Sequence, residues 1–196
     1  MDDEALVAQV RAGDLDAAST LLSRYQDVAY TTALRLLGDP SDAEDVAQEA
    51  LVRAYTRISE LEEHSSFPAW LRRIAVNLSL NALRRRGLLR FESLDVGSTR
   101  GEAAHDRHDE RQATPEQEAL AGDLRSEVEA MIAQLPPEQR VAVVLRDMYD
   151  YDVAEIAELQ RCGLSAAKMR ITRGRAALRR QVVDARVLDD ASAAQR

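Results

Sequence analysis

One cysteine, Cys162, occurs in 196 residues. That excludes an intramolecular disulfide and a cysteine-based zinc site. Aromatic residues make up only 4% of the chain against 45% hydrophobic residues overall. A core built mainly from Ala, Leu and Val leans towards helices. No apolar run approaches the roughly 20 residues that span a bilayer. The opening MDDEALVAQV lacks the basic and apolar regions of a signal peptide, so a cytoplasmic protein with no membrane contact is expected. Also missing are a phosphate-binding glycine loop, a nucleophile–base pair and a cluster of metal ligands. His105 and His108 by themselves do not make a metal site. No catalytic residue, metal or cofactor is therefore expected, and the chain does not read as an enzyme.

Charge is abundant but unevenly placed. The formal net charge is −8, yet residues 64–91 contain six arginines and no acid. Residues 1–63 hold 14 acids against 5 bases, and residues 92–114 hold 6 against 3. Residues 115–183 are nearly balanced, with 11 acids and 10 bases, but seven of those bases lie in the acid-free stretch 159–183. Half of the 26 basic residues thus sit in two blocks of an acidic protein. Two separate basic patches point to two contacts with a polyanion.

Apolar spacing along the chain is helical throughout, with no strand pattern and no internal repeat. Gly13-Asp14 breaks the first helical segment and Gly38 stops it. A helix is expected from Ser41 to Leu61, opened by a capping box of Ser41 and Glu44. Ala47, Leu51, Ala54 and Ile58 would line its inner face, leaving Asp45, Gln48, Glu49 and Arg53 outward. The next helix starts after the loop EEHSSFP and runs to Gly87, with Trp70, Leu71, Ile74, Leu78 and Leu83 as its buried stripe. Residues 92–114 lack periodicity and read as a flexible acidic linker. Beyond it come helices in EQEALAGDLRSEVEAMIAQL, EQRVAVVLRDMY, DVAEIAELQR and, capped by Ser165, AAKMRITRGRAALRRQVV. The expected fold is all-α: two small helical domains, 1–90 and 115–183, joined by the linker 91–114 and followed by a frayed tail, 184–196.

The last two helices, joined by a tight turn and ending in a basic helix, have the pattern of a helix-turn-helix. Lys168, Arg170, Arg173 and Arg175 cover much of that helix, as contacts to phosphates and base edges of a major groove require. A solvated charged helix is the plainer reading, but seven bases without one acid favour DNA. The stretch WLRRIAVNLSLNALRRRG differs in kind. Arg72, Arg73 and the run Arg84-Arg85-Arg86 supply phosphate contacts. Asn77 and Asn81 carry both donors and acceptors, which reading an exposed base edge needs. Trp70 is read as core rather than as a stacking platform, and Cys162 as a small packing residue rather than a redox switch.

DPSDAEDVAQEALVRAY, FPAWLRRIAVNLSLNALRRR and LPPEQRVAVVLRDMYDYDVAEIAEL occur in one order and spacing. In these three motifs the chain resembles the extracytoplasmic-function sigma factors, the smallest class of bacterial RNA polymerase sigma subunits. The resemblance covers about residues 4–90 and 115–182. It implies a sigma factor that joins core RNA polymerase, recognises the −35 and −10 promoter elements and helps DNA melting. Asp45, Gln48 and Glu49 would dock on the arginine-rich coiled coil of the largest polymerase subunit. Arg72, Arg73, Asn77, Asn81, Arg84 and Arg85 would hold the −10 element as single-stranded DNA, with Asn77 beside an extruded base. Ser165, Lys168, Arg170, Arg173 and Arg175 would read the −35 element as duplex. The linker is either a solvated tether or a nucleic-acid mimic for the polymerase cleft. Family members are commonly held by an anti-sigma factor, though no residue here identifies one. Three positions depart from the family pattern: Arg161 stands where glycine is usual, Gln160 where an apolar residue is usual, and GLSAA replaces the usual turn sequence.

Overall fold

The computed structural model describes residues 2–62, 66–89 and 126–193, which fall into two compact units. The expected linker itself lies outside the described residues. Every regular element described is helical, as the apolar spacing required.

The first unit contains four helices: α1 (Asp3–Arg11), α2 (Leu15–Leu37), α3 (Pro40–Thr56) and α4 (Phe67–Arg85). A 3-10 turn, Ile58–Glu60, follows α3. α2 is the centre of this unit, with α1, α3 and α4 packed against it. Leu6, Leu21, Leu36, Phe67, Leu71, Leu80 and Leu83 are fully buried among many alanines. Small residues let the helices approach closely, and each buried leucine contributes roughly 1.5–3 kcal/mol. Asp14 caps α2 by accepting from the amides of Asp16 and Ala17 at 2.9 and 3.0 Å. Arg11 reaches from α1 to the carbonyls of Ile58 and Leu61, fixing the exit of α3. Tyr25 donates to Asp3, and burial together with that carboxylate pushes its pKa up to about 12.

Two expectations about α3 need correction. Its N-cap is Asp39, which accepts from the amide of Asp42 at 3.0 Å, with Pro40 in the first turn. Asp39-Pro40 is the stronger start signal, because proline fits the first helical position and lacks the amide that would need a partner. The Ser41–Glu44 box therefore does not form. The helix also ends at Thr56, with Leu61 five residues beyond it.

The second unit begins with α5, residues 126–133, which is the described part of the long helix expected before Pro136-Pro137. Next come α6 (Pro137–Val143), widened into a π turn over Val144–Met148, then α7 (Val153–Leu159) and α8 (Leu164–Ala193). Arg140 is buried and donates to the carbonyl of Ala133 at 2.9 Å, closing the end of α5. Ile132, Val141, Leu145, Ile156, Ala167 and Ile171 form the core. α8 lies so close to α6 that a Cβ on Gly174 would stand 2.5 Å from Val143 Cγ2. α8 continues to Ala193, past Asp184, where the tail was expected to begin.

Candidate nucleic-acid interfaces

On α3, Asp45, Gln48 and Glu49 are all exposed, and Glu49 accepts from Arg53 one turn on at 2.6 Å. The same face continues into Val52 and Tyr55, which are 62% and 39% exposed. Sequence reading passed over these two. Their spacing from Gln48, four and seven residues, was the available signal.

α4 carries the first basic block. Arg73, Asn77, Asn81 and Arg84 follow one another at helical spacing along one side, and Arg84 donates to Asn81 Oδ1 at 2.6 Å. The two asparagines and Arg73 are exposed, as is Arg85, and Arg84 is half-buried. Arg72 is half-buried on another side of the helix. Trp70 is half-buried, not part of the core proper; its ring tilts against Phe67 at 6.1 Å. Ile74 is likewise only half-buried, while Leu71, Leu78 and Leu83 are buried as expected. The run Arg84-Arg85-Arg86 does not act as one patch. Arg86 forms a two-pronged pair with Asp42, tying the end of α4 to the start of α3. This guanidinium holds the Asp42 carboxyl below its usual range.

A cleft of about 460 Å³ opens where α1 meets the entry of α4. Asp2, Asp3, Glu4 and Glu62 line it, and Asn77 does not. Four carboxylates against the single Arg11, which is turned to the Ile58 and Leu61 carbonyls, repel a phosphate, so this cleft is unsuited to a nucleotide.

The helix-turn-helix is formed by α7, a short turn and α8. Asp152 and Glu155 make a reciprocal capping box at the start of α7, each accepting from the other's amide at 2.7 Å. The helix ends in a Schellman motif. Cys162 N donates to the carbonyl of Ala157 at 2.9 Å, and Arg161 N to that of Glu158 at 3.0 Å. Arg161 has φ of 49°. This left-handed conformation is why glycine is the usual residue there. Cys162 is 1% exposed and serves as the apolar plug of the motif.

α8 starts at Leu164, so Ser165 lies inside its first turn, not at the cap. Ser165, Lys168, Arg173 and Arg175 are exposed. Arg175 pairs with Asp147 of the π turn, its Nε donating at 2.9 Å. Arg170 must be taken off the DNA-facing set. It is 8% exposed and turned inward, where Nη1 donates to Gln160 Oε1 at 3.2 Å and Nη2 lies 3.3 Å from Glu138 Oε1. Gln160, 1% exposed, completes the cluster by donating to the Glu138 carbonyl at 2.8 Å. A buried guanidinium needs such partners. The amide at position 160 and the arginine at 170 thus explain each other, and neither position betrays this alone.

A helix-turn-helix and a second, acid-free basic helix mark a DNA-binding protein. Sigma-70 region 2 matches residues 21–88, and Sigma-70, region 4 matches residues 125–178. The chain is 33% identical over 178 residues to the ECF RNA polymerase sigma factor SigW of Bacillus subtilis strain 168, covering 91% of this chain and 95% of that one. It is 34% identical over 184 residues to the ECF RNA polymerase sigma-E factor of Escherichia coli K12, covering 93% and 95%. Among solved structures, CnrH in complex with the cytosolic domain of CnrY shares the fold with a TM-score of 0.50 and 23% identity, over 93% of this chain and 97% of that one. The chain belongs to the extracytoplasmic-function sigma factors. It acts with core RNA polymerase in promoter-specific transcription initiation. No described helix is long and apolar enough to cross a membrane.

Proposed function

We propose that the two units divide promoter recognition between them. α3 docks the first unit on the coiled coil of the largest polymerase subunit through Asp45, Gln48 and Glu49, with Val52 and Tyr55 as an apolar extension. α4 holds the melted −10 strand, with Arg73, Arg84 and Arg85 against phosphates and Asn77 and Asn81 towards bases. Arg72 takes a flanking phosphate. The second unit reads the −35 duplex with α8, using Ser165, Lys168, Arg173 and Arg175. The chain itself makes and breaks no covalent bond, works in the cytoplasm, and is subject to an anti-sigma factor as family members commonly are.

The observation that carries the −10 assignment is the shared side of Arg73, Asn77 and Asn81 on a helix without a single acid. Extruding a base costs a few kcal/mol. A helix already packed on α2 and α3 offers contacts to offset that cost without first having to order itself. The experiment is co-purification with core polymerase followed by transcription from a premelted bubble template. Stable association and template-specific transcripts are expected. Failure to associate with core would overturn the proposal.

A further inference from the structure

Ala167, Arg170, Ile171 and Gly174 form the buried side of α8. Opposite them, at i, i+4, i+7 and i+11, stand Ser165, Met169, Thr172 and Ala176, all exposed. This strip carries no charge. Lys168 and Arg179 bound it along one edge, where Arg175 is paired with Asp147, and Arg173 and Arg180 along the other, all exposed. A neutral strip between two basic rows matches the cross-section of a major groove, where base edges form the floor and phosphates the walls.

Met169 is the longest side chain of the strip and is 48% exposed. In the free protein its thioether contributes little to the core. In a groove it meets a floor on which one base alone, thymine, presents a methyl group. Its unbranched, polarisable chain adapts to such a contact. The hydroxyl of Thr172 donates to the Lys168 carbonyl at 2.9 Å and keeps its lone pairs for accepting. Arg170, on the opposite side of the helix, is held inside by Gln160 and Glu138.

We infer that Met169 is a specificity-determining residue of the −35 contact, seated against the C5-methyl of a thymine. Ser165 and Thr172 lie beside it as hydroxyl partners for neighbouring base edges. The inference rests on the docking of α8 in the −35 groove proposed above.

The test uses holoenzyme reconstituted with core polymerase, and promoters selected by it from a pool randomised through the −35 region. In a selected promoter each −35 thymine is replaced in turn by deoxyuridine, which lacks only the methyl group. For the wild type, one replacement should lower open-complex formation about fourfold, the loss for one buried methyl-sized group. Met169→Ala should show a loss of similar size on the unmodified promoter and no further response to deoxyuridine. Met169→Leu should retain the response. Because Met169 is exposed, the melting curves of the variants should superimpose on the wild type. Indifference of the wild type to every replacement, an undiminished response in Met169→Ala, or selected −35 elements without thymine would each overturn the inference while leaving −35 docking intact. A pool that emerges with no −35 preference at all would overturn the docking proposal as well.

Discussion

Arg161 occupies at the end of α7 the left-handed position that Gly13 and Gly87 occupy at the ends of α1 and α4. A side chain there crowds the following carbonyl, at a cost of about 1–2 kcal/mol. Arg161→Gly relieves the crowding but gives back part of the gain as unfolded-chain entropy. The variant is expected to be more stable by about 1 kcal/mol, read as a higher urea midpoint for the second unit at unchanged slope. Gly174 predicts the opposite sign for a substitution that usually helps. Gly→Ala inside a helix ordinarily gains up to about 1 kcal/mol. Here the new methyl would meet Val143 at 2.5 Å and the Gln139 carbonyl at 3.2 Å. Gly174→Ala should therefore destabilise the unit by about 1–3 kcal/mol, as overpacked cores do, and lower the midpoint. Asn77 is exposed, so Asn77→Ala should leave folding and polymerase binding unchanged. Its expected effect is slower promoter opening, seen as weaker permanganate reactivity of −10 thymines; unchanged kinetics would remove Asn77 from the DNA contact.

In the proposed function α3 and α4 work through outward faces; their exposure was legible from polar spacing, while the work assigned to them came from the family resemblance. Asp45→Arg combined with Glu49→Arg should abolish binding to core polymerase with helicity preserved. Both positions face solvent, and like-charge contacts across an interface cost several kcal/mol. Normal affinity in a pull-down would displace docking from this face. Helix starts and ends were less legible. Asp39, Ser41 and Glu44 compete for one cap, and the choice follows from Pro40, whose ring suits the first helical turn. The inward turn of Arg170 was not legible at all. Its position ten residues from Gln160 is reached only after a turn whose geometry depends on Arg161, so periodicity along one helix carries no trace of the pairing. In the same way Arg86 reads as one of three adjacent basic residues until Asp42, 44 positions away, is brought beside it.

For the molecule as a whole, charge sets how readily DNA is bound in the absence of polymerase. Residues 1–63 and 92–114 together hold 20 acids against 8 bases. We expect these acidic segments, tethered to the second unit, to compete with DNA for its arginines. Affinity falls with salt at a slope of about −0.9 per neutralised phosphate, so losing two or three contacts weakens binding steeply. The full chain should consequently bind a free promoter duplex less tightly than residues 115–183 alone, most clearly when both are titrated at two salt concentrations. Equal affinities would show that the acidic segments leave α8 unshielded. The buried Gln160–Arg170–Glu138 cluster bears on a different matter, the exchange of parts between relatives. Transplanting residues 164–176 into a sigma factor with an apolar residue in place of Gln160 would bring along an arginine whose partners stay behind. An unpaired buried charge costs roughly 3–5 kcal/mol. The graft would carry the outward-facing residues intact and still lose its seat, so promoter preference in this protein is portable only if the turn and the start of α6 travel with the helix.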